Sequence, residues 1–199
     1  MKFEEALKIL TPLIGQTIDI AGEKKNNKGR YGHALEKQLR LNLGSHHLDF
    51  EDGELKTYAI KNGKMKEDFK ICKKWDKEYI ESKLANMVLV VYDYDTKVIA
   101  SVQHLSILEH PVIRKQFDKD LAYLLAQPDI NLVSQSETDV FVAKTNDSGN
   151  KEINERALYI AGAPWGYITG FGYALRARKG KKFVEEMKLY EQTETRCAA

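Results

Sequence analysis

The stretch Asn27–Ile60, NKGRYGHALEKQLRLNLGSHHLDFEDGELKTYAI, decides how the chain reads. Residues 30–43 have helical spacing, and Gly44-Ser45 offers a stop. Within that helix Glu36 shares a face with Gly32, Leu39 and Leu43, so a carboxylate points inward beside a glycine that leaves room. The plainer alternative sets Glu36 at the edge of the stripe, paired with Arg40 one turn on. His47–Glu51 then alternates polar and apolar side chains, which predicts a strand with His47, Asp49 and Glu51 on one face. Asp52-Gly53 is a tight-turn signal. Beyond it Glu54, Lys56 and Tyr58 share a strand face. A hairpin across that turn brings Asp49 onto one surface with Glu54 and Lys56.

Outward from this stretch the elements follow in order. Phe3, Ala6, Leu7 and Leu10 predict an amphipathic helix over 2–10. Glu23–Arg30 is a polar, mostly basic loop. Asn62-Gly63 is a turn, and Phe69 and Ile71 suit a short strand. Residues 75–85 read as a helix that carries Lys83. Met87–Tyr92 is the clearest core strand, with Val98–Leu108 as its neighbour. Residues 110–126 form a helix with Val112, Ile113, Phe117, Leu121, Leu124 and Leu125 inward. Val140 and Val142, then Leu158 and Ile160, mark two later strands. From Ala163 to Lys182 glycines alternate with aromatics, and a basic cluster follows: Arg176, Arg178, Lys179, Lys181 and Lys182. Such a cluster suits phosphate contact, with a solvated helix end as the plainer explanation.

The chain has 199 residues, and its hydrophobic content of 43% allows one substantial domain or two lobes sharing a core. With 31 basic residues against 29 acidic ones, the net charge of +2 does not announce nucleic acid. A DNA-binding face must come from local segregation of charge. Cys72 and Cys197 lie far apart and in no metal-ligand spacing, which points to a reducing, cytoplasmic setting. Met87–Tyr92, the longest apolar run, is too short for a membrane span. The start, MKFEEALKIL, carries acids where a secretory signal is apolar. No phosphate-binding or dinucleotide fingerprint is present.

Two acids and an ammonium can supply what phosphodiester hydrolysis needs, a nucleophile made from water and a way to absorb charge on phosphorus. Carboxylates some ångströms apart hold Mg²⁺ together with several waters. The metal polarises the phosphoryl oxygen and lowers the pKa of a bound water. A lysine beside it positions that water and offsets the developing negative charge. The pattern Asp49-x(4)-Glu54-x-Lys56 alone arises readily by chance in a chain with 30% charged residues. Its weight comes from the order of parts: a basic loop, a helix with an inward Glu36, a turn, then the acid-x-base triplet.

That order resembles the MutH-like endonucleases, a branch of the PD-(D/E)XK nuclease fold that includes a mismatch-repair nicking enzyme and type II restriction enzymes. The residues that carry the resemblance are Lys28-Gly29, Gly32, Leu35-Glu36, Asp49-Phe50 and Glu54-Leu55-Lys56-Thr57. More loosely, Ala6–Gly22 is similar to the family's first helix and loop, and Ser82-Lys83-Leu84 before MVLVVY to its lysine ahead of a central strand. The resemblance implies an α/β fold with a central mixed sheet flanked by helices, as one domain or as two lobes around a DNA cleft. It implies a single nuclease domain over 1–199, with a catalytic part at about 1–75 and a recognition part at about 130–185.

Carried onto this chain, the resemblance makes Asp49 and Glu54 ligands of Mg²⁺ (or Mn²⁺), with Glu36 supporting the metal or Lys56. Lys56 becomes the site lysine, and Lys28 and Lys83 lie near the scissile phosphate. Lys28, Arg30, Lys83, Lys144, Arg176, Arg178 and Lys179 become contacts to double-stranded DNA. Two departures bear on this. The spacer between the two acids is short, as in the small monomeric restriction enzymes of the branch, and it leaves Asp52 as a substitute for Asp49. Where the nicking enzyme has an arginine two residues before the lysine matched by Lys144, this chain has Val142, so no target sequence carries over. The expected activity is a monomeric, Mg²⁺-dependent type II endonuclease leaving 5′-phosphate and 3′-hydroxyl ends. The alternatives are a strand-specific nickase answering to a mismatch-repair ATPase and a catalytically silent DNA-binding module.

Overall fold

In a computed structural model of the protein, the residues described are 1–21, 23, 29–41, 47–65, 67–145, 156–172 and 179–197, the last four as backbone only. The order of elements is α1 (Phe3–Leu10), α2 (Arg30–Gln38), β1 (Glu54–Lys61), β2 (Lys64–Met65), β3 (Phe69–Cys72), α3 (Lys77–Ala85), β4 (Met87–Asp93), β5 (Ile99–Leu105), α4 (Pro111–Leu125), β6 (Phe141–Thr145), β7 (Arg156–Ile160), α5 (Gly162–Ile168) and α6 (Lys181–Cys197). The fold is α/β. It divides into a first unit, Met1–Gly63 with Glu81–Ile107, and a second, Lys64–Ile80 with Leu108–Ala199. The first unit therefore takes Lys83 from beyond the proposed catalytic limit near residue 75. Among the described residues no helix is long and apolar enough to cross a membrane.

The sheet of the first unit is mixed. β1 runs parallel to β4, with Glu54 opposite Met87 and Ile60 opposite Asp93. β5 runs antiparallel on the other side of β4, with Met87 opposite Leu105. β4 is buried along Met87–Tyr92, so its unbroken apolar run is that of a strand covered on both faces. Ala6 and Leu10 of α1 join the core, as do Tyr31, Ala34 and Leu35 of α2, against Leu55, Val88, Val90 and Ile99. Leu10 and Leu35 are fully buried, and each contributes about 1.5–3 kcal/mol in apolar burial.

Two expectations at the centre of the chain are corrected. Helix α2 stops at Gln38, short of Gly44-Ser45. Arg40 turns into the left-handed region at φ 55°. The amide of Leu41 donates to the Glu36 carbonyl and that of Arg40 to the Lys37 carbonyl. This pair of bonds is a Schellman closure built on an arginine where glycine is usual. Arg40 thereby leaves the helical path on which a one-turn pairing with Glu36 depended. Leu43 lies outside the described residues.

His47–Glu51 is a bent loop and not a strand. Phe50 is buried in the core, and the loop spends its backbone groups off any ladder: Phe50 N–H donates to the Gly53 carbonyl and Glu51 N–H to the distant Met1 carbonyl. β1 meets a different neighbour, β4, in parallel. At the entry to β1 a Cβ on Gly53 would stand 2.6 Å from the Asn86 carbonyl oxygen, so only glycine lets the chain approach this closely.

In the second unit β3, β7 and β6 form an antiparallel sheet in that order. Phe117 of α4 packs edge-on to Phe141, and Phe69 stacks on Trp165 at 3.9 Å between centroids. Ile113, Phe117, Leu121 and Leu124 face inward as expected. Leu125 does not: it is 41% exposed, and Asp120 takes the inward place. The glycine–aromatic tail contains α5, and α6 follows it. The sequence does not announce α5, because its glycines mask the helical spacing, and it shows of α6 only a solvated helix end at the basic cluster.

Candidate active site

Glu54 is the first residue of β1, and its amide donates to the Asn86 carbonyl at 2.8 Å. Strand alternation sends Leu55 into the core and sets Glu54 and Lys56 on the opposite face. The Glu54 carboxylate is 4% exposed, and each of its oxygens accepts from an ammonium group. Lys56 Nζ lies 2.5 Å from Oε1, and Lys83 Nζ 2.6 Å from Oε2. Lys83 comes from the last turn of α3, and its side chain is 7% exposed. Such charge-assisted bonds are what allow charged groups to be buried at all.

Asp49 reaches the same place from the loop before β1. Its Oδ2 accepts from the Leu55 amide at 2.9 Å, which fixes the loop to the strand without a hairpin. Burial pushes the Asp49 carboxyl above the usual range, and the Glu54 charge pushes it further. Lys56, the Leu55 amide and Lys83 pull the other way. Glu36 is also raised, first by burial and then by Asp49, with His33 and Lys56 opposing and Glu54 adding a little. Glu36, Asp49, Glu54, Lys56 and Lys83 thus share one electrostatic field. A Cβ on Gly32 would sit 3.8 Å from Glu36 Oε1 and 3.7 Å from Thr57 Oγ1, ordinary contacts, so room for Glu36 does not require this glycine.

The other candidates that the structure describes have surroundings of their own. Asp52 does not stand in for Asp49: its Oδ1 accepts from the Phe3 amide at 2.9 Å and holds the start of α1. Arg30 opens α2 with its guanidinium over the Tyr31 ring and a bond to the Tyr31 hydroxyl at 3.1 Å. Lys144, in the second unit, pairs with Asp68 at 2.9 Å and lies over Tyr159. Lys179 faces inward: its Nζ is enclosed without a hydrogen-bond partner among the described residues, and burial lowers its pKa despite Asp120, Asp139, Asp68 and Glu137 nearby. Its ammonium is therefore not presented to solvent. Lys28, Arg176 and Arg178 lie outside the described residues. One contact went unread in the sequence, a 2.7 Å hydrogen bond between His47 and Ser82. The only signal was that these residues stand two before Asp49 and one before Lys83.

Among the described residues no group of three or more histidine, cysteine, aspartate or glutamate side chains is arranged to hold a metal. The oxygen donors available in this cluster are those of Asp49 and Glu54, with Glu36 beside them. Mg²⁺ commonly uses one or two carboxylates and fills its shell with water, so this donor set fits a hard cation. The proton affinity of Asp49 and Glu36 is raised first by their burial and only then by the neighbouring carboxylates. The chain matches no known family model and no curated protein.

Proposed function

We propose that the chain is a Mg²⁺-dependent DNA endonuclease with a MutH-like, PD-(D/E)XK type of core, acting on double-stranded DNA as a type II restriction enzyme does. One observation carries the reading: a buried Glu54 bonded to both Lys56 and Lys83, with Asp49 and Glu36 in the same field. The mixed sheet with the acid-x-base triplet at the first turn of β1 supports it.

On this reading Asp49 and Glu54 hold the cation, Mn²⁺ substituting for Mg²⁺. When bound, the cation supplies Lewis acidity toward the phosphate and a more acidic water. Lys56, a quarter exposed, is the ammonium able to turn from Glu54 toward the attacking water and the charge that builds on phosphorus. Lys83, enclosed, keeps the Glu54 carboxylate oriented. Glu36 keeps negative charge behind Asp49 and Lys56. Water adds to phosphorus, the P–O3′ bond breaks, and the products carry 5′-phosphate and 3′-hydroxyl ends.

The test is supercoiled plasmid incubated with protein in Mg²⁺ and in chelator, followed by sequencing of the ends. Linear product cut at one short sequence, absent in chelator and with Lys56→Ala, is the expected result. Lasting open circles would favour the nickase reading. No cleavage of any DNA in Mg²⁺ or Mn²⁺, with binding retained, would leave the silent module.

A further inference from the structure

Among the described residues the loop that carries Asp49 pairs with no strand, yet the separation of Asp49 from Glu54 and Lys83 must be fixed for the cluster to act as a unit. On its C-terminal side the loop is tied by the Asp49–Leu55 bond, by the Phe50–Gly53 bond and by the buried Phe50 ring. On its N-terminal side His47 Nε2 and Ser82 Oγ lie 2.7 Å apart. Ser82 immediately precedes Lys83, whose ammonium holds Glu54 Oε2. The path from Asp49 through His47, Ser82 and Lys83 to Glu54, and back through the Leu55 amide, is a closed ring of short links.

We propose that His47 and Ser82 are a positioning pair: their hydrogen bond sets the Asp49 loop against the lysine-bearing turn of α3, and so sets the acid–acid separation. The pair acts through the Asp49 loop and the turn that carries Lys83, so its effect on any bound cation is indirect. Partners that orient the direct ligands of a metal change its affinity by about ten- to a hundredfold when removed. That part of the effect rests on the nuclease reading above; the mechanical part does not.

The experiment compares wild type, Ser82→Ala, His47→Ala, the double variant and Ser82→Thr in three readouts. These are amide exchange of Leu55 N–H in metal-free protein, Mn²⁺ binding by calorimetry, and plasmid cleavage resolved into kcat and KM. Each alanine variant is expected to speed Leu55 exchange about fivefold to tenfold, since it loosens the carboxylate that holds this amide. Mn²⁺ affinity and kcat should fall about tenfold with KM unchanged. The double variant should be no worse than either single, and Ser82→Thr should restore the wild-type values. Unchanged Leu55 exchange in either single variant overturns the proposal, whatever cleavage does. So do additive losses, which would mean that His47 acts by itself. If Leu55 responds as expected while wild type neither binds Mn²⁺ nor cuts DNA, the pair stands and the nuclease reading falls.

Discussion

Each of the two units buries a carboxylate, and the two are satisfied in different ways. In the second unit Asp120 is 2% exposed and accepts from the amides of Val140 and Phe141, both at 2.9 Å, and from the Gln116 side chain at 2.7 Å. Those donors are backbone and side-chain amide groups, neutral and fixed by the fold. In the first unit the Glu54 carboxylate is bonded to two lysine ammonium groups, and two further acids with raised proton affinity stand beside it. The first arrangement pins α4 to the start of β6. The second is the place where, on the proposed reading, a cation would enter beside Asp49 and Glu54. The buried acid held by backbone is architecture; the one held by lysines among other acids is where the proposed function is to be tested.

The sharpest way to break this contrast is to remove the exposed partner of the pair. Lys56→Ala should lower cleavage by about a hundred- to thousandfold with DNA binding retained, read by plasmid assay and gel shift. Wild-type cleavage from that variant would remove the site. Lys83→Met should cost about 3 kcal/mol in chemical denaturation, because it leaves a buried carboxylate short of a partner. Asp120→Ala should cost about 2 kcal/mol or more by orphaning the amides of Val140 and Phe141, yet leave kcat unchanged in the folded protein. If Asp120→Ala abolished cleavage while the protein remained folded, the division between architecture and site would fail.

A smaller effect follows from pH. Asp49 and Glu36 have carboxyl groups raised above the ordinary values of 3.8 and 4.5. Between those values and the raised ones the folded state binds more protons than the unfolded, so their contribution to stability falls as pH rises through that window. Asp49→Asn keeps an acceptor for the Leu55 amide and removes the charge. The melting temperature of that variant should therefore exceed wild type at neutral pH and depend less on pH across the acidic range. The smallest expected change tests the local chain path. Arg40→Gly relieves the left-handed residue that ends α2 and should add about 0.5 kcal/mol, detectable by denaturant midpoint. A loss of stability there would mean that the Arg40 side chain contributes more than its backbone costs.

Much of the first unit could be read from the chain because it obeys local rules. The apolar run of β4, the helical spacing of α1 and the triplet Glu54-Leu55-Lys56 each state their structure without help from distant residues. Glu36, Asp49, Glu54 and Lys56 were expected together from their order, and Lys83 from the resemblance; in the structure these charges act on one another. The route was different. Alternation at His47–Glu51 suggested a strand, but the apolar members serve as loop anchors, and β1 pairs in parallel with a strand more than thirty residues later. The end of α2 was missed because its closure uses an arginine and no glycine. Asp120 and Lys179 look like surface charges in the sequence; only tertiary packing turns them inward. Lys144 likewise is paired with Asp68, a contact made across 76 positions of chain that no short motif encodes.

The most direct measurement is the melting temperature of wild type and Asp49→Asn as Mg²⁺ is raised, without DNA. Wild type should melt progressively higher, by about 2.7 kcal/mol of added stability when Mg²⁺ reaches a hundred times its dissociation constant. Asp49→Asn should start higher and stay nearly flat. Parallel rises in both proteins, or no rise in either, would contradict a cation site at the head of β1.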